Sequence, residues 1–359
     1  MKQLASYSRL SYLLIFLPVS VVLRLTHASE LWLFLSCCAA IIPLAELMGI
    51  ATEDLAKRLG SQLGGLLNAT FGNATELIIG FFALSAGQID LVRASIIGSI
   101  IGNILLVLGV SILAGGMKHK MQYFTQDVAE THSINLILAS ISLAIPAVFA
   151  TAFHHPLSST SDAVEHLSIG VAILVLILYI ASLIFSLKTH ENLFRSGEEE
   201  EYEPPAMSKP AAICMLAAAA LLISILSEWL VGSVDIAAHG MHVNPTFIGI
   251  IIVPIVGNAA EHSTAVMMAI KNKLDITLNI AIGSSTQVAL FIAPVLVLAG
   301  AISHHQLTYL FGAPELTAVA AAVLIAGFIA GDGKTHWLEG AQLIAVYFII
   351  GMAYYFLPK

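Results

Sequence analysis

Apolar runs of about 20 residues, long enough to cross a bilayer, recur along almost the whole chain. Eleven are predicted, at residues 8–25, 29–55, 62–86, 89–115, 131–153, 164–188, 209–236, 244–270, 274–302, 307–331 and 336–357. The loops between them carry most of the charge. With the N-terminus cytoplasmic and eleven crossings, 12 of the 15 lysines and arginines fall on the cytoplasmic side. Only Arg24, Arg93 and Lys359 fall outside. That asymmetry fits the positive-inside rule and supports both the helix count and the orientation. The longest polar break, Glu191 to Pro210, contains Glu198, Glu199, Glu200, Glu201 and Glu203. It reads as a solvated cytoplasmic linker after helix 6, with a regulatory cation-collecting segment as the alternative.

Composition agrees. Of 359 residues, 58% are hydrophobic and 11% charged, and the mean hydropathy is +0.90. A soluble domain carries about 25% charged residues, so the class is an all-α polytopic membrane protein. The net charge of −8 comes from a few loops. No basic patch exists, and nucleic acid is not expected as a partner. Cys37, Cys38 and Cys214 lie in apolar segments without zinc or disulfide spacing. No cofactor is expected, and no serine–histidine dyad or paired catalytic aspartate suggests an enzyme. A homo-oligomer is left open. The apolar run from Leu10 to Leu23 could serve as a signal peptide, but a retained first helix is expected. The lack of a targeting extension points to a bacterial inner membrane, with a vacuolar membrane as the alternative.

Two motifs break the apolar pattern at matched positions. Gly72-Asn73-Ala74-Thr75-Glu76 and Gly257-Asn258-Ala259-Ala260-Glu261 lie 185 residues apart, and Gly98-Ser99 and Gly283-Ser284 keep that offset. A charged residue at mid-bilayer costs about 2.5–3.5 kcal/mol even on the lenient insertion scale, so two at matched positions point to function. Five crossings separate the copies. Five is odd, so the copies run in opposite directions, as in the inverted repeats of secondary transporters with a site near the midplane. The expected division is an extra helix at 1–28, one five-helix repeat at 29–190, the acidic linker at 191–208 and a second repeat at 209–359.

Asn73 and Asn258 each precede their glutamate by three residues and share its helical face. Carboxylate, amide and carbonyl oxygens suit a hard cation such as Ca²⁺. Glu76, Glu261, Asn73 and Asn258 are therefore the candidate ligands, with Ca²⁺ as transported substrate and H⁺ competing for the carboxylates. His262 follows Glu261 but lies about 100° around the helix. Ser99, Asn103, Ser284, Ser285 and Gln287 on helices 4 and 9 are candidates to gate or line a polar path. Glu46 and Glu53 on helix 2, and Glu228 and Asp235 on helix 7, are each seven apart and form stripes that could mark mouths to the centre.

These motifs resemble a known family. Leu67-Asn68-Ala69-Thr70-Phe71-Gly72-Asn73-Ala74-Thr75-Glu76 and Gly257-Asn258-Ala259-Ala260-Glu261-His262 are similar to the two signature repeats of the Ca²⁺/H⁺ antiporters, the CAX branch of the cation/Ca²⁺ exchanger superfamily. Gly283-Ser284-Ser285-Thr286-Gln287 and Pro43-Leu44-Ala45-Glu46-Leu47-Met48-Gly49 fit as well. The resemblance implies eleven helices, Ca²⁺ coordination by Glu76 and Glu261, proton countertransport through the same carboxylates, and a gate lined by Gln287 with a partner on helix 4. A Na⁺/Ca²⁺ exchanger of the same fold is the rival reading, and a cation channel a more distant one.

Overall fold

The computed structural model describes residues 10–152, 162–190, 204–303 and 305–357. The acidic run at 198–203 lies outside them. The described helices are α1 (Ser11–Leu25), α2 (Glu30–Gly60), α3 (61–71, then Ala74–Ser85), α4 (Ile89–Lys118) and α5 (Gln126–Ala152). They continue with α6 (Asp162–Thr189), α7 (Lys209–Gly240), α8 (Pro245–Gly257, then Ala259–Ile270), α9 (Leu274–Ile302), α10 (Ala313–Asp332) and α11 (Trp337–Tyr355). Eight are long and apolar enough to cross a membrane among the described residues, nine if the two parts of α8 form one bent span. Ser11–Leu25 and Ala74–Ser85 are shorter apolar helices. The chain is thus an almost wholly helical membrane protein, and the eleven predicted segments are compatible with it.

Three boundaries depart from the hydropathy pattern. The helical hydrogen bonding of α2 runs on into α3 through Gly60, whose φ of 79° kinks the chain there. Only glycine enters that region at no steric cost. The segment at 62–86 is not one helix, because it breaks at Gly72–Asn73. The apolar stretch from Leu307 to Phe311 is not the start of helix 10 but a buried connection, and α10 begins at Ala313 with Pro314 in its first turn. Proline is tolerated there because the first-turn N–H groups have no helical partner.

In lipid, close helix packing depends on small residues at the contacts. Gly98 on α4 lies so near α8 that a Cβ there would sit 2.3 Å from the Ile250 carbonyl oxygen and 2.6 Å from Pro254 Cγ. Pro254 has no N–H to offer that carbonyl, and α4 fills the side it leaves open. Gly109 and Gly340 bring α4 equally close to α11. The result is an α4 enclosed by neighbours, with Ile97, Ile100, Ile101, Ile104 and Leu105 fully buried.

Both ends of this core are tied by loops. At one end the two-residue strands β1 (Gln122–Tyr123) and β2 (Lys334–Thr335) pair antiparallel. There Gln122 Nε2 donates to the Ala269 carbonyl at 2.8 Å and the Thr125 N–H to Asp275 at 2.7 Å. At the other, Arg93 donates to Thr308 through Nη2 at 3.0 Å and Nε at 3.2 Å, and the Tyr309 N–H to Ser168 Oγ at 3.2 Å. α1 packs along α2, and α2 along α7.

Candidate functional site

The two broken helices meet at their breaks. Asn73 and Asn258 have nearly the same non-helical backbone, with φ and ψ of −105° and 24° against −100° and 8°. The two parts of α8 bend by 63° at Asn258. Each break starts a new helix with its glutamate in the first turn, Glu76 on one side and Glu261 on the other. The first N–H groups of a helix are unpaired and carry partial positive charge, which favours a carboxylate there.

The two motifs then reach across to each other. A Cβ on Gly257 would lie 3.1 Å from Glu76 Oε1, and one on Gly72 would lie 3.6 Å from Glu261 Oε1. Each carboxylate therefore sits against the glycine of the other motif. Both oxygens of Glu76, Oε2 of Glu261 and Oδ1 of Asn258 are buried without a hydrogen-bond partner among the described residues. Unpaired buried acceptors cost about 1–3 kcal/mol each, more when charged. Four converging here make a cradle for something positive.

Asn73 and Asn258 differ in what holds them. Asn73 is fully buried and belongs to a chain of side chains. Asn103 Nδ2 donates to Ser284 Oγ at 3.0 Å, Ser284 Oγ to Asn73 Oδ1 at 2.9 Å, and Asn73 Nδ2 to Gln287 Oε1 at 2.5 Å. This chain ties α4, α9 and the break in α3 together. Asn258 Nδ2 donates to the Pro254 carbonyl at 3.1 Å, but its oxygen is unmatched. The position of Gln287 in the first copy, counted by the 185-residue offset, is Gly102, which has no side chain to repeat the tie. Ser285 bonds back to Ala281 at 2.8 Å and across to the Ile100 carbonyl at 3.3 Å. Ser99 helps line a small cavity against Glu76, together with Ser95, Val253, Gly257 and Val288. α4, α8 and α9 each widen by one turn nearby, at Gly102–Val107, Ile248–Ile252 and Val288–Ile292. Such wide turns frequently mark functional sites.

His262 is half-buried with Nε2 unpartnered. Glu46 is half-buried, whereas Glu228 and Asp235 are exposed. Glu53 is also exposed and pairs with Lys57 at 3.0 Å. The buried acid at that end of α2 is its neighbour Asp54, 4% exposed and paired with Arg58 at 3.1 Å. Sequence reasoning passed over Asp54. The signal available was the Asp54–Arg58 spacing of four, which joins neighbours on one helical face. Among the described residues no three or more His, Cys, Asp or Glu side chains cluster as a metal site. The cradle has only two carboxylates, supplemented by amide oxygen.

Two broken helices that cross with a carboxylate each, inside a bundle of apolar spans, define a membrane ion transporter. The family model described as sodium/calcium exchanger protein matches residues 29–188 and 211–356, and the chain belongs to that family. It is 44% identical over 361 residues to a Ca²⁺/H⁺ antiporter of Aphanothece halophytica, covering 96% of each chain. It is 39% identical to a vacuolar calcium ion transporter of Schizosaccharomyces pombe, covering 100% of this chain and 87% of the relative. The solved structure of native YfkE superposes with a TM-score of 0.84 at 39% identity, over 97% of this chain and 100% of that one.

Proposed function

We propose that this protein exchanges Ca²⁺ for H⁺ across a membrane by alternating access, with Glu76 and Glu261 binding the two ions in turn. The observation that carries this reading is the reciprocal approach of the two carboxylates, with both oxygens of Glu76 and Oε2 of Glu261 buried and unpaired among the described residues. The Ca²⁺/H⁺ antiporter at 44% identity supports protons over sodium as the counter-ion.

The chemistry is competition. Ca²⁺ needs deprotonated oxygens, so its binding releases protons and weakens as pH falls. Protons entering from the acidic side displace Ca²⁺ there, and the emptied, neutral site reorients. For each proton displaced, the apparent Ca²⁺ dissociation constant is expected to rise about tenfold per pH unit of acidification. Calcium titrations of the purified protein between neutral and acid pH check this, and a pH-independent constant contradicts it.

Asn258 contributes its free amide oxygen as a ligand. Asn73 supplies its own only after releasing Ser284. Asn258→Ala is expected to raise the Ca²⁺ concentration for half-maximal uptake at least about tenfold, the scale of loss when a metal site gives up a supporting partner. Unchanged half-saturation would remove Asn258 from the ligand set. The chain of Asn103, Ser284, Asn73 and Gln287 acts as a gate on one side. Glu46, Glu53, Glu228 and Asp235 attract cations to the two mouths.

The repeats are residues 29–190 and 209–359, in opposite orientation, with 1–28 as an extra helix and 191–208 as the linker. The matched backbone of Asn73 and Asn258 supports this division, as do Asp90 and Asp275, 185 residues apart in the first turns of α4 and α9. The N-terminus is cytoplasmic and the membrane is the bacterial inner membrane. A sodium-coupled exchanger is the remaining alternative, and a flux assay separates the two.

A further inference from the structure

We propose that the cavity between the ends of α2 and α7 binds the headgroup of an anionic phospholipid. The cavity is lined by Leu55, Arg58, Leu59, Leu67, Lys209 and Ile213. Two cations and four aliphatic side chains are the complement of a molecule that is anionic at one end and apolar at the other. α2 ends at Gly60 and α7 begins at Lys209, so the cavity sits where two spans leave the membrane. Basic pockets between transmembrane helices at that level suit anionic headgroups.

The cations are placed for it. Arg58 Nη2 bonds Asp54 and also donates to the Met207 carbonyl. Its Nη1 and Nε have no partner among the described residues. Asp54 accepts in turn from the backbone N–H groups of Ala206 and Met207, at 2.5 and 3.1 Å. The guanidinium is therefore held in position while still presenting free donors. Lys209 pairs with no carboxylate among the described residues and stands in the first turn of a 32-residue helix. The N-terminal end of that helix adds partial positive charge. The cavity is open to the outside beside aliphatic side chains: Leu59 is 42% and Ile213 48% exposed, and Leu63 and Leu66 further along are 58% and 45% exposed. Leucines at the edge of a span face acyl chains. A free phosphate would use the cations and leave the aliphatic walls without a role.

The test is native mass spectrometry of the purified protein with phosphatidylglycerol or phosphatidylcholine added in equal amount. The wild type is expected to retain phosphatidylglycerol preferentially. Lys209→Gln is expected to weaken that retention about fivefold, the contribution of one cation near an anionic surface, and Lys209→Glu to abolish it. Lys334→Gln, at a distant loop, should leave it unchanged. Equal retention of both lipids, or unaltered retention in Lys209→Glu, overturns the proposal. So does complete displacement of the lipid by inorganic phosphate.

Discussion

Glu261→Gln and Glu76→Gln are each expected to abolish Ca²⁺ uptake by reconstituted protein while the chain still folds. Glutamine keeps the size and the polar oxygen but cannot carry the charge. The two carboxylates face one cradle from opposite sides, each against the other motif's glycine, so neither can replace its partner. Losing a group one shell removed from a metal costs about 10–100-fold in affinity, and losing one of two charged ligands should exceed that. Transport should fall below about one hundredth of wild type. Folding should survive because both oxygens of Glu76 and Oε2 of Glu261 have no internal partner to lose, and glutamine keeps an oxygen in place of the remaining one; neutralising a buried, unpaired carboxylate relieves a cost. Purified mutants that elute and melt like wild type but do not transport meet the expectation. Uptake retained in either mutant removes that glutamate from the mechanism.

The second large effect is expected at Gly98. The added methyl of Gly98→Ala would sit 2.3 Å from the Ile250 carbonyl oxygen. The obstruction is backbone, which cannot rotate away, so α4 and α8 must separate. Overpacking of this kind costs about 1–3 kcal/mol or more. It also displaces Pro254 and with it the break that presents Asn258 and Glu261. The expected outcome is a lowered melting temperature together with loss of transport. Gly283→Ala, at the matching position on α9, is the control, because no atom lies within 4 Å of the added methyl. It should melt and transport like wild type. If both mutants behave alike, the close contact of α4 with α8 is not what sets the site.

The centre of this molecule was legible in sequence because lipid makes polarity conspicuous. Glu76 and Glu261 stand out of apolar segments, and the repetition of their neighbourhoods points to function. Orientation within the helices was harder to read. Glu53 and Asp54 are adjacent acids at the end of α2, and only packing decides that Asp54 turns inward while Glu53 pairs with Lys57 at the surface. Gly72 and Gly257 are compatible with either a close approach or a local unwinding, so the residues alone do not decide that the helices break at Asn73 and Asn258. Hydropathy also cannot separate a buried loop from a span, which is why Leu307 to Phe311 read as helix. The tie of Asn73 to Gln287 joins residues 214 apart, and no local pattern predicts which of the two asparagines is held and which has a free oxygen.

The most direct test of the central claim is Ca²⁺ flux into proteoliposomes holding the purified protein, driven by an imposed pH gradient, with a Na⁺ gradient in parallel. Uptake driven by protons alone is predicted. Uptake driven by sodium alone would keep the fold and the two glutamates but contradict the exchange of Ca²⁺ for H⁺.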